Sequence, residues 1–130
     1  MTMQEMSTAV QYKLPIKIFI LNNQYMGMVR QWQELLHEKN YSESYTAALP
    51  DFVKLAEAYG CVGIQATKPD ELDEKINEMI NTKEPVIFDC RVDPAENCFP
   101  MIPSGKPHNQ MLLGPEDEKE EVTDEGKTLV

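Results

Sequence analysis

LNNQYMGMVRQWQ, Leu21 to Gln33, decides the fold. It grows out of IKIFIL (Ile16 to Leu21), a short run rich in β-branched and aromatic residues and almost continuously apolar, which predicts a strand buried on both faces of a parallel sheet. The strand ends at Asn22-Asn23. In open α/β sheets ligands bind just beyond the carboxyl ends of the strands, where an amide offers its side-chain oxygen to a hard cation. Gly27 lets the backbone approach a ligand closely, and a helix starting near Gly27 or Met28 turns its unpaired N–H groups and positive dipole end toward an anion such as diphosphate. Read without further context, Asn-Asn after a strand is also an ordinary polar turn.

Outward from this stretch, strands alternate with helices. Thr2-x-x-Glu5 has the form of a capping box, and Met3, Met6, Ala9 and Val10 recur at helical spacing, so a first helix is expected to about Tyr12, ended by Leu14-Pro15. A second helix is expected from about Met28 to Glu38. Spacing of three and four puts Met28, Val29 and Trp32 on one side, Leu35 and Leu36 continue the apolar stripe, and Arg30 and Glu34 face elsewhere. Asn40 to Ala48 reads as a polar surface loop beside the site. Pro50 fits a first helical position, Phe52, Leu55, Ala56 and Tyr59 share a face, and Gly60 supplies the stop. Cys61 to Ile64 is a short strand, Pro69 opens a helix whose buried stripe is Leu72, Ile76, Met79 and Ile80, and PVIFDC (Pro85 to Cys90) is a third strand. The alternation predicts an α/β fold, a parallel sheet with flanking helices. Beyond Arg91, prolines at 94, 100, 103, 107 and 115 replace any periodicity, and no internal repeat is present.

Composition narrows the function. A chain of 130 residues fits one core. Twelve Lys+Arg against 22 Asp+Glu give a formal charge of −10, the wrong sign for a nucleic-acid partner. Glu116 to Val130 hold seven acidic and two basic residues, half of that excess, and are expected to form a solvated, disordered end. Cys61, Cys90 and Cys98 have no metal-binding spacing, with or without His37 and His108, and read as reduced thiols. No apolar run reaches the roughly 18 residues of a membrane span and no signal-peptide pattern opens the chain, so a cytoplasmic location is expected.

Thr2 to Trp32, TMQEMSTAVQYKLPIKIFILNNQYMGMVRQW, closely resembles the closing half of the thiamine-diphosphate motif of acetohydroxyacid synthase (acetolactate synthase) catalytic subunits. The family motif opens with Gly-Asp-Gly or Gly-Asp-Ala; its Asp has no counterpart here. YTAALPDF (Tyr45 to Phe52), EPVIFDCRVD (Glu84 to Asp93) and NCFPMIPSGKPHNQML (Asn97 to Leu112) extend the likeness over most of the chain. It implies that residues 1–114 are the C-terminal part of the diphosphate-binding domain, with 115–130 an acidic tail.

By the same likeness, Asn23 through its side-chain oxygen and Tyr25 through its carbonyl bind Mg2+. Met26, Gly27 and Met28 touch the thiamine diphosphate, and Val29 and Trp32 line the substrate channel. Seen bare, these methionines and the tryptophan are more often core or interface residues. The implied activity is decarboxylation of pyruvate and condensation with a second pyruvate or 2-oxobutyrate, which starts branched-chain amino-acid biosynthesis. The implied assembly contains the rest of the catalytic subunit in a homodimer or tetramer, a regulatory small subunit, and an FAD bound by a domain absent here. No catalytic residue is expected in this chain, because the family's activating glutamate belongs to another domain, and the isolated chain is expected to be inactive. Two other readings stay open: a glyoxylate carboligase or oxo-acid decarboxylase of the same cofactor class, and a non-catalytic α/β interaction module.

Overall fold

The computed structural model describes residues 2–115. In chain order its helices and strands are α1 (Glu5–Gln11), β1 (Lys17–Asn22), α2 (Gly27–Leu36), α3 (Phe52–Tyr59), β2 (Val62–Ala66), α4 (Leu72–Asn81) and β3 (Val86–Arg91). They fall into two compact units: Met1–Gln24 with Ala47–Pro94, and Tyr25–Thr46 with the chain from Ala95 onward. The acidic tail expected at 115–130 lies outside the described residues from Glu116 on.

The first unit is a parallel sheet in the order β1-β3-β2, with Phe88 opposite both Phe19 and Ile64. The last strand in sequence is therefore the middle one. Every residue from Val86 to Cys90 is buried. Val86, Phe88 and Cys90 pack on one face with Ile64, Ala66 and Met79, while Ile87 packs on the other with Met6, Ala56 and Cys61. Helices thus cover both faces, the arrangement that makes a parallel strand apolar on both sides.

That expectation fails for the strand on which it was founded. Among the described residues β1 pairs only with β3, leaving Phe19 and Leu21 exposed on an edge strand. An apolar run marks a strand without saying on which side its partners lie.

Local chemistry explains the element ends. At α1 the capping box does not form: the helix begins at Glu5, and its N-cap, Gln4, makes no side-chain cap bond. Pro50 precedes α3 instead of opening it. Asp51 is the N-cap, and its carboxylate accepts from Val53 N–H at 3.1 Å and Lys54 N–H at 3.0 Å. Gly60 ends α3 as expected, with φ +79 in the left-handed region. Pro69 opens a single 3-10 turn before α4, and on α4 Met79 is buried while Ile80 stays exposed. β2 runs two residues beyond its expected end.

The second unit contains α2, an antiparallel bridge between Tyr25 and Tyr45, and another between Met101 and Leu112. No helix among the described residues is long and apolar enough to cross a membrane.

Candidate functional site

At the carboxyl end of β1 the two asparagines have different surroundings. Asn22 is buried; its Nδ2 donates to Asp89 Oδ1 at 2.7 Å and its Oδ1 accepts from Gln24 N–H at 3.1 Å. This is an Asx turn, so the ordinary polar-turn reading holds for Asn22. Gln24 closes the turn at φ +61, a left-handed conformation that the side-chain bond helps to hold. Asn23, the middle residue of the turn, is half-buried.

In the second unit the start of α2 lacks the usual anion-like cap. Met26 is its N-cap with no side-chain cap bond, and no acidic residue stands in the first turn. Met26 N–H donates to Ser44 carbonyl at 2.8 Å, which ties the helix entry to the buried Ser44. Gly27 is the first helical residue, and Met26, Met28 and Val29 are all exposed. An uncapped, acid-free helix start leaves its first N–H groups facing outward, a feature that suits an anion.

Met28, Val29 and Trp32 share one side of α2 as expected, but this is not the side the protein buries. Its polar face is buried: Gln31 is 1% exposed and Arg30 7%, while Met28 is 55% exposed. Arg30 pairs with Glu34 at 2.8 Å and donates to Ala95 carbonyl at 3.2 Å and Asn97 Oδ1 at 3.1 Å, with its guanidinium carbon 5.6 Å and 5.5 Å from the ring centres of Tyr25 and Tyr41. Gln31 bonds the backbone of Cys98 and, through Nε2, Met101 Sδ. These partners lie in the proline-rich segment, which has few backbone partners of its own and takes them from side chains.

The apolar stripe of α2 lines an open groove of about 850 Å³. Met28, Val29 and Trp32 meet there with Gln33, Leu36, His37, Glu38 and Asn40. Gln33 Nε2 donates to Ser42 carbonyl at 2.7 Å, whereas its Oε1 is buried with no hydrogen-bond partner among the described residues.

Asp89 escaped the sequence reading, and so did the burial of Arg30 and Gln31. For Asp89 the signal was present, since a carboxylate inside PVIFDC must find donors if that strand is buried. The cysteines do not cluster. Cys61 and Cys90 are buried and Cys98 is exposed, and no group of three His, Cys, Asp or Glu among the described residues is placed to hold a metal. Burial pushes the Cys61 thiol up, and burial together with the Asp89 charge does the same to Cys90.

Residues 1–90 match the family described as thiamine pyrophosphate enzyme, C-terminal TPP binding domain. The chain is 50% identical over 113 residues to the acetolactate synthase large subunit of Cyanidium caldarium, covering 86% of this chain and 19% of that protein. It is 46% identical over 116 residues to the acetolactate synthase isozyme 3 large subunit of Escherichia coli K12, covering 87% and 20%. It is 43% identical over 123 residues to the mitochondrial acetolactate synthase catalytic subunit of Saccharomyces cerevisiae, covering 94% and 18%. The chain thus spans about a fifth of the length of the curated relatives it matches. Among solved structures, the thiamine diphosphate-dependent 4-hydroxybenzoylformate decarboxylase of Rhodococcus jostii RHA1 superposes with a TM-score of 0.62 at 26% identity, over 70% of this chain and 17% of that one.

Proposed function

The chain belongs to the thiamine pyrophosphate enzyme family through its C-terminal TPP-binding domain, and from that premise we propose that it is the diphosphate-binding part of an acetolactate synthase catalytic subunit. Asn23 Oδ1 and the Tyr25 carbonyl hold Mg2+, and the N–H groups at the start of α2, at Gly27 and Met28, bind the diphosphate with Met26 against the cofactor. Val29 and Trp32 line the path of the 2-oxo acids. The reaction proposed is decarboxylation of pyruvate and condensation with a second pyruvate or 2-oxobutyrate, in branched-chain amino-acid biosynthesis.

When bound, thiamine diphosphate supplies the electron sink that makes both steps accessible. The chain's own residues would orient it. Met28, Val29 and Trp32 present a wall of low polarity that favours loss of the substrate carboxylate charge. The activating glutamate, the FAD, the oligomeric contacts and a regulatory small subunit are proposed to come from outside these residues, and the setting is proposed to be cytoplasmic.

The observation that carries this reading is the inversion of α2, which buries its polar face and gives its apolar face to a groove. A helix serving only as a structural support would bury the apolar face. A decarboxylase of the same cofactor class is the second reading, favoured by the Rhodococcus neighbour; identities of 43–50% to synthase subunits outweigh its 26%. Calorimetric titration of Mg2+ with thiamine diphosphate into the chain tests the site: binding is expected, with loss of the magnesium-dependent part in Asn23→Ala. Equal binding by that variant, or none by the native chain, overturns the assignment. Acetolactate formation by the isolated chain would overturn the proposal that the activating group lies elsewhere.

A further inference from the structure

Asp89 stands near the carboxyl end of β3, 1% exposed, in a strand otherwise made of Val86, Ile87, Phe88 and Cys90. All three strands converge on its two oxygens. Oδ1 accepts from Asn22 Nδ2 of β1 at 2.7 Å, and Oδ2 accepts from Gln65 Nε2 of β2 at 2.9 Å and pairs with Arg91 Nε of β3 at 3.2 Å. A buried carboxylate is a costly way to hold a sheet together, since an apolar side chain of similar size holds it as well or better. Its presence points to a geometric task.

That task is visible in Asn22. With Nδ2 committed to Asp89, the amide plane is fixed and Oδ1 faces the Gln24 N–H, closing the turn on whose crest Asn23 sits. We infer that Asp89 is a positioning residue for the cofactor's magnesium, acting through the Asn22 amide to set the backbone of Asn23. The inference rests on Asn23 being a metal ligand, as proposed above. Groups behind a metal ligand commonly change metal affinity by about 10- to 100-fold when replaced.

The test is a pair of substitutions. In Asp89→Asn, Arg91 is a donor only and holds the new amide's oxygen on its side, so the new amide's nitrogen meets the Asn22 Nδ2. Two donors cannot pair; the Asn22 amide flips and presents Nδ2 to the Gln24 N–H, which opens the turn. In the reversed pair, Asn22→Asp with Asp89→Asn, the carboxylate now on β1 accepts from both the amide nitrogen now on β3 and the Gln24 N–H, and every partner is restored. Magnesium is titrated into each chain at saturating thiamine diphosphate by calorimetry, with thermal midpoints measured alongside.

The expected result is a magnesium affinity about 10- to 100-fold weaker in Asp89→Asn, regained in the reversed pair. Native affinity in a folded Asp89→Asn overturns the inference while leaving the magnesium reading intact. No binding by the native chain removes both. If Asp89→Asn does not fold, the reversed pair decides: native affinity supports the inference, and weak binding or failure to fold overturns it.

Discussion

Gln31 and Cys98 form a closed amide pair: Gln31 Nε2 donates to the Cys98 carbonyl at 2.9 Å, and Gln31 Oε1 accepts the Cys98 N–H at 2.8 Å. One helical side chain thus does for the proline-rich segment what a neighbouring strand does in a sheet. Gln31→Leu keeps the volume and orphans both backbone groups of Cys98. Both bonds are only part-buried, so the loss is that of two ordinary hydrogen bonds, about 1–3 kcal/mol in sum; urea denaturation should show it, and a change below about 0.5 kcal/mol would show that the segment does not depend on α2.

The three thiols should separate by reactivity. Cys98 is exposed, whereas Cys61 and Cys90 are buried with their thiols pushed up, so neither burial nor ionisation favours attack on a reagent. In a disulfide-exchange assay at pH 8 one thiol should react at once and the other two only after denaturant is added. Cys98→Ser should remove the fast phase; two or more fast thiols in the native chain would contradict the packing around β3.

How far the sequence carried the reading depends on what kind of information each element holds. The alternation of IKIFIL, FVKLAEAY, LDEKINEMI and PVIFDC announced a parallel α/β sheet, because period and turn chemistry are local. Which strand is central is not local, and IKIFIL and PVIFDC look alike in that respect; the register of Phe88 with both Phe19 and Ile64 settles it. The orientation of α2 was hidden for the same reason. Arg30 and Gln31 find partners 65 or more residues away, at Ala95, Asn97 and Cys98, and no periodicity reports a partner so distant. The candidate residues from Asn23 to Trp32 came from resemblance joined to chemistry, whereas the partners of Asp89 required coordinates.

Gly63 is a position of close approach. A Cβ there would lie 2.8 Å from both Val53 Cα and Val53 carbonyl oxygen, so α3 backbone blocks it and no side-chain rotation relieves the clash. Gly63→Ala should destabilise the sheet unit by about 1–3 kcal/mol, the cost of overpacking. Gly60→Ala makes only an ordinary van der Waals contact, with Val10 Cγ1 3.5 Å away, but its φ of +79 is strained for any side chain, at about 1–2 kcal/mol. Thermal melts of the two variants should both fall below the native chain; a native melt for Gly63→Ala would mean that α3 and β2 are farther apart than described.

Acid should weaken the α3 start in a way that one substitution isolates. The Lys54 N–H foremost, with the Lys54 ammonium and the Val53 N–H, holds the Asp51 carboxyl below its ordinary value. Because the folded state favours the ionised form, the contribution is present above the ordinary carboxylate range and is lost as pH falls through the lowered folded value. Asp51→Asn keeps a good N-cap oxygen but cannot titrate, so its melting temperature should fall less steeply than the native chain's between pH 5 and pH 3. Asp51→Ala should melt lower than both at pH 7. Glu71, held down first by the Thr67 N–H and then by the Lys68 N–H, adds to the same acid slope and remains in both variants. The Asp51 share is therefore the difference in slope between the native chain and Asp51→Asn, and parallel curves for the two would show that the carboxylate at the α3 cap is not held by its charge.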